Sequence, residues 1–157
     1  TKEGNAVRFD ENNVRSMGRT ARGVKGITLR GEDEVIGVAV VDESKTLLTL
    51  TENGFGKRTS FEDFREMKNR GGKGVKTINI TEKTGSLVAV KKVTDENDLM
   101  IINKSGVTIR VSVSDIRLAG RATQGVKLIS LREGDSIAAV CSVNKSEEKL
   151  AENTEEL

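Results

Sequence analysis

Apolar residues along the chain fall in short runs, each broken by Gly, Asn, Asp or Ser. The runs at 35–41, 87–93 and 137–143 are rich in β-branched residues, and Val7 and Phe9 alternate with Ala6 and Arg8. Runs of this size, bounded by turn residues, predict β-strands. Shorter strands are predicted at 27–29, 46–51, 57–61, 77–80, 99–102, 107–111 and 128–131. Glu52-Asn53-Gly54 is the strongest hairpin signal, because Asn-Gly tolerates positive φ at both central positions. A second hairpin turns at Lys104-Ser105-Gly106. Such tight turns imply antiparallel neighbours. One helical turn is expected at 60–67, with Ser60 as cap and Asp63 three residues on. Its counterpart at 113–116 looks less helical.

These elements recur. Gly-Val-Lys stands at 23–25, 74–76 and 125–127, a spacing of 51 residues, and Arg19, Arg70 and Arg121 each precede it by four positions. Gly4, Gly54 and Gly106 stand four residues before Arg8, Arg58 and Arg110, and Val14, Phe64 and Ile116 follow those arginines by six. A fixed period of this size marks a repeat architecture. Each unit has four short strands, and the 99–102 run is apolar on both alternating faces, so its sheet needs cover on both sides. Four-stranded sheets stacked around an axis provide that cover. The fold expected is therefore all-β and propeller-like. A β-sandwich would suit the strand count without needing the repeat, and helical repeats conflict with the Asn-Gly and Gly-Gly breaks.

Composition narrows the chemistry. The chain has 157 residues and no His, Tyr, Trp or Pro. Without His, and with Cys141 as the one thiol, neither a Cys/His zinc site nor a His-dependent triad can be assembled. Cys141, beside Ala138 to Val140, is expected to be a small buried hydrophobe. A lone thiol suits a reducing cytoplasm. No apolar run approaches the roughly 20 residues of a membrane helix. No catalytic residue, metal ligand or cofactor site is singled out.

The net charge of +2 is unevenly placed: residues 146–157 carry five Glu against Lys149, a net of −4, which leaves +6 on residues 1–145. From charge alone, a basic body with an acidic tail fits a solvated face with a frayed terminus at least as well as a polyanion partner for which the tail competes. The division expected is a repeat domain at 1–145 and an acidic, disordered tail at 146–157.

The basic residues concentrate in Gly-rich loops. In the loop at 68–74, Gly71, Gly72 and Gly74 leave backbone N–H groups open, and Lys68, Arg70, Lys73 and the following Lys76 supply charge. The Gly-Lys-Ser/Thr ending of a Walker loop is missing and Gly74 leads into a strand, so contact with a run of phosphates is the better reading. The candidate contacts to such phosphates are Arg19, Arg22, Lys25, Lys68, Arg70, Lys73, Lys76, Arg121 and Lys127, with Lys57 and Lys104 near hairpin tips. Gly23, Gly74 and Gly125 are better explained as turn glycines that position the next strand, whether or not a ligand binds. Arg8, Arg58 and Arg110 lie inside strand patterns, where pairing with Asp10, Asp63 or Asp115 competes with phosphate contact. The four Phe, at 9, 55, 61 and 64, do not interleave with the basic residues, which disfavours single-strand stacking.

The Gly-Val-Lys unit, the Asn-Gly hairpin and Arg70-Gly71-Gly72-Lys73-Gly74 together resemble the C-terminal DNA-wrapping domain of gyrase A, from the type IIA topoisomerase DNA gyrase. The resemblance spans residues 1 to about 145 and extends to the acidic tail. It implies a β-pinwheel in which a hairpin from one unit helps build the neighbouring blade. It also implies a partial domain, about three blades of a usual six. Arg70 to Gly74 match the end of the family's signature box as a degenerate copy, which puts the true box upstream of Thr1. What the resemblance implies is a bacterial, cytoplasmic, non-catalytic module that binds and wraps duplex DNA to support negative supercoiling, with the rest of gyrase A and gyrase B as partners. Strand cleavage in that family uses a tyrosine, which this chain lacks. Two alternatives stay open: the related domain of topoisomerase IV, and a propeller-like protein-interaction module.

Overall fold

Two long hairpins form where the turn signals are strongest. The computed structural model describes residues 1–145, and the acidic tail expected at 146–157 lies outside the described residues. The first hairpin joins β3 (Thr46–Thr51) to β4 (Phe55–Ser60), paired antiparallel from Thr46↔Ser60 to Leu50↔Gly56. Gly54 carries the positive φ of the turn, +85°, while Asn53 does not share it. The turn is closed by the Gly54 N–H donating to the Thr51 carbonyl at 3.0 Å and the Phe55 N–H donating to Thr51 Oγ1 at 3.1 Å. The second hairpin joins β8 (Asn97–Asn103) to β9 (Thr108–Ser112).

The remaining strands are β1 (Asn5–Ala6), β2 (Arg8–Phe9), β5 (Glu66–Met67), β6 (Val75–Lys76), β7 (Leu87–Val93), β10 (Val126–Lys127) and β11 (Ile137–Asn144). One sheet has the order β10-β4-β3-β7, so a hairpin from one unit is flanked by strands from the next two. A second has the order β11-β8-β9, and β1-β6 and β2-β5 form two-stranded pairs. Each of these sheets thus draws its strands from more than one unit.

The core explains the two-faced strands. Leu48 and Leu50 on one face of β3 join Val93, Leu99, Ile101, Val113, Ile116, Ile129 and Ile137 in the main cluster. Leu47, on the opposite face, packs with Phe61 and Phe64. Each such side chain buried contributes about 1.5–3 kcal/mol.

Several local expectations are corrected. The helical turn at 60–67 is only a 3-10 turn at Phe61–Asp63, capped by Ser60 Oγ accepting from the Glu62 N–H, followed by β5. Its counterpart Val113–Asp115 is equally a 3-10 turn, as is Glu11–Asn13. At the second and third repeats the ladder residues are the Val-Lys of the tripeptide itself, β6 and β10, and the segments 77–80 and 128–131 that follow are irregular. Residues 27–29 and 35–41 join no ladder. The 35–41 run has only Ile36 and Ala39 partly buried, with Ala39 packed inward and Val38 93% exposed. What it lacks among the described residues is a hairpin strand like the one β3 offers β7 or β8 offers β11. Cys141 is exposed, because it lies on the outer face of β11 while Ile137 and Val140 turn inward. No helix among the described residues is long and apolar enough to cross a membrane.

Candidate nucleic-acid interface

The Gly-rich loops are stapled to one another by bonds that repeat in register. Arg70 Nη1 donates to the Lys25 carbonyl at 2.8 Å, and Arg121 Nη1 donates to the Lys76 carbonyl at 2.8 Å. The Thr28 N–H donates to the Gly72 carbonyl at 2.8 Å, and the Asn79 N–H, one repeat on, to the Thr123 carbonyl at 3.1 Å. Further bonds from the Gly71 N–H to the Gly26 carbonyl and from Thr28 Oγ1 to the Gly71 carbonyl tie the first junction. These bonds set the three loops side by side. The sequence spreads their cations over more than 100 residues, and the structure gathers them into one row.

Within the row, Arg19, Arg22, Lys25, Lys68, Lys73, Lys76 and Lys127 are exposed. Arg70 and Arg121 are half-buried, because each guanidinium joins its loop to the previous one, and Arg70 also donates to the Asn13 carbonyl at 3.1 Å. These two arginines organise the row. Their residual donors are what remains for a ligand. Lys104 is exposed but belongs to another place, the turn between β8 and β9, where its N–H donates to the Ser136 carbonyl.

Lys57 is a correction. Expected near a hairpin tip as a DNA contact, it is 0% exposed and points into the loop at 119–125. Its ammonium donates to the carbonyls of Gly120 at 2.6 Å, Arg121 at 2.5 Å and Thr123 at 2.9 Å, and to Thr123 Oγ1 at 3.3 Å. Val7 and Ile109 occupy the corresponding positions of the other repeats. That difference was a signal in the sequence: a Lys at an inward-facing strand position needs acceptors. Burial first, and then the positive charge of Arg121, push the Lys57 ammonium down to about 8 against 10.5 for an ordinary lysine.

A native lysine that releases its proton earlier than the unfolded chain does makes stability rise with pH between the two values. The stability of the wild type relative to a Lys57→Met variant is therefore expected to increase from about pH 8 to 10.5, as read by urea denaturation at each pH. A constant difference would contradict the assignment.

The strand arginines are also structural. Arg8 donates to the Phe61 and Phe64 carbonyls and pairs with Glu43 at 3.3 Å. Arg58 donates to the Ile116 carbonyl and pairs with Asp95 at 2.5 Å. Arg110 pairs with Asp98 at 2.6 Å, and Lys145 lies 3.5 Å from the other oxygen of that carboxylate. The acidic partners are thus Glu43, Asp95 and Asp98, in place of the expected Asp10, Asp63 and Asp115. The Arg110 bond, with its attached charge, holds the Asp98 carboxyl below the usual carboxylate range.

A family model described as "DNA gyrase C-terminal domain, beta-propeller" matches residues 1–42, 45–94 and 97–144. The gyrase A protein of Staphylococcus aureus is 48% identical over 150 residues, which are 94% of this chain and 17% of that protein. The chain therefore spans under a fifth of the length of this relative. Among solved structures, a DNA gyrase A C-terminal domain superposes with a TM-score of 0.80 at 27% identity, over 90% of this chain and 48% of that one. The C-terminal domain of a DNA topoisomerase IV superposes with a TM-score of 0.85 at 23% identity, over 99% of this chain and 49% of the other, and shares the fold.

Proposed function

Because the chain belongs to the DNA gyrase C-terminal domain family, we propose that it is a non-catalytic module that binds duplex DNA through its phosphates and bends it along the row of basic loops. The observation that carries this reading is the stapling of successive loops, Arg70 to Lys25 and Arg121 to Lys76, which turns three separate basic segments into one continuous cationic strip. A strip of exposed Lys and Arg on glycine-rich backbone suits phosphate oxygens and offers little for base edges. A protein-interaction surface is less well supported, since the basic loops share one row.

Bending duplex costs on the order of 1–6 kcal/mol for 20–30 base pairs, so several contacts must act together. In the full protein the partners would be the rest of gyrase A and gyrase B, and the module would support supercoiling performed elsewhere. With no Tyr in the chain, it offers no tyrosine nucleophile for strand cleavage. Residues 1–145 are read as part of a pinwheel, and the acidic segment 146–157 as a competitor for the basic row.

Duplex affinity is expected to fall steeply with salt, with log affinity against log salt sloping by about −0.9 for each phosphate neutralised. Lys68→Gln and Lys73→Gln should each lessen that slope by about 1, with little sequence preference lost or gained. A wild-type slope near zero would overturn the reading. Deleting residues 146–157 should tighten binding at low salt, and unchanged affinity would remove the competitor role.

A further inference from the structure

Two lysines outside the loop stapling stand over one buried ring, and an arginine lines the cavity beside it. Phe55, at the start of β4, is 6% exposed. Lys83 Nζ stands 5.4 Å and Lys127 Nζ 5.9 Å from its ring centre. Arg132 lines the same open cavity of about 270 Å³, together with Asn53 and Asp135. The attraction of each ammonium for the ring offsets part of the repulsion between them. None of the three cations forms an ion pair with a carboxylate among the described residues. The one carboxylate in the cavity is already engaged: Asp135 Oδ1 accepts from the Ser105 and Ser136 N–H groups, and Oδ2 from Ser105 Oγ at 2.8 Å.

The repeat supplies an internal control. At the preceding junction Asn5 stands where Phe55 does, Glu32 where Lys83 does and Thr81 where Arg132 does, leaving Lys76 in the place of Lys127. Lys76 there donates to Asn79 Oδ1 at 3.3 Å. The fold is therefore built at one junction without the cation cluster, so the cluster at the other is not a requirement of folding. Lys83 and Arg132 come from turns at 82–84 and 131–135, brought to the turn before Phe55 by the Asn53 N–H on the Thr84 carbonyl and the Ile137 N–H on the Glu52 carbonyl, while Lys127 comes from β10, where it pairs with Phe55.

We propose that Lys83, Lys127 and Arg132, gathered around Phe55, form a phosphate-binding site distinct from the Gly-rich loops, and that its ligand is a phosphodiester of duplex DNA. The assignment rests on the DNA-binding reading above and extends it. Lys127 belongs to both places, so the site continues the basic row sideways onto the next turn. Phe55 is too deeply buried to stack on a base, which leaves the charged backbone as the group recognised.

The test is duplex binding by the whole chain across a salt series, with the double variant Lys83→Gln/Arg132→Gln and a conservative Lys83→Arg. The double variant is expected to bind about tenfold more weakly at low salt, with the slope lessened by about 1 to 2, while Lys83→Arg keeps both. Both substituted side chains are exposed, so thermal melts should coincide with the wild type. A steep wild-type slope unchanged in the double variant would overturn this site alone. A flat wild-type slope would instead remove the DNA reading, and the assigned ligand with it. Orthophosphate titrated by NMR is the remaining arm. Shifts around Arg132 that vanish in the double variant, with duplex binding unaltered, would overturn the nucleic-acid assignment in favour of a free anion.

Discussion

Gly125→Ala is expected to destabilise the protein by about 4 kcal/mol, against about 1 kcal/mol for Gly23→Ala at the same position of the repeat. Both glycines have φ in the left-handed region, +77° at Gly125 and +80° at Gly23, so an alanine is strained at either. The difference lies in what surrounds them. A Cβ on Gly125 would stand 2.5 Å from the Gly56 carbonyl oxygen, whereas a Cβ on Gly23 meets nothing within 4 Å. The Gly56 carbonyl belongs to β4, and the β10–β4 pairing brings the two backbones that close. Backbone cannot swing aside as a side chain can, so the added methyl must part the strands. Gly74 repeats the arrangement, 2.5 Å from the Ala6 carbonyl oxygen, and Gly74→Ala should resemble Gly125→Ala. Urea denaturation of the three variants ranks them directly. Equal costs at Gly23 and Gly125 would show that backbone conformation alone accounts for the glycines.

Lys57→Met is expected to cost about 1.5–3 kcal/mol, the range for losing hydrogen bonds to a charged group. Met keeps most of the aliphatic volume and offers no donor. The Gly120 and Arg121 carbonyls then lose the ammonium they converge on, and the loop at 119–125 loses its internal tie. Relief of the burial cost of the charge works the other way. The loop bonds decide the sign, because three of the four acceptors are backbone carbonyls fixed by the fold. Lys57→Arg should not rescue it, since a planar fork cannot aim at acceptors arranged around a single nitrogen. Amide exchange of residues 119–125 should quicken in Lys57→Met with little change in the loop at 68–74, where Val7 holds the corresponding place. A variant as stable as the wild type, with unaltered exchange in that loop, would show that the ammonium is incidental.

Much of the architecture was legible because it depends on near neighbours. The Glu52-Asn53-Gly54 turn, the β-branched runs and the 51-residue period depend on residue type and spacing, and they point to stacked small sheets before any contact is known. The strand bounds were less legible. Val75-Lys76 and Val126-Lys127 form ladders while the more strand-like 77–80 and 128–131 do not, because pairing depends on which backbone lies alongside. The 35–41 run shows the same dependence in reverse: its pattern is that of a strand, and no ladder partner lies beside it among the described residues.

The basic site divides in the same way. Charge and glycine content picked out the loops, and seven of their nine candidate cations are exposed. Arg70 and Arg121 look identical to their neighbours in sequence, yet each commits its guanidinium to the adjoining loop. Lys57 resembles a hairpin-tip lysine and is fully buried. Lys83 and Arg132 lie in ordinary polar turns and meet only around Phe55. By itself, the order of residues determined the repeat, the turns, the all-β class and the places where positive charge is dense, since all of these follow from local conformational preference and composition. Tertiary structure alone decided which cations face solvent, which hold the loops together and which converge, because a side chain's role depends on distances between segments about 50 residues apart in the chain.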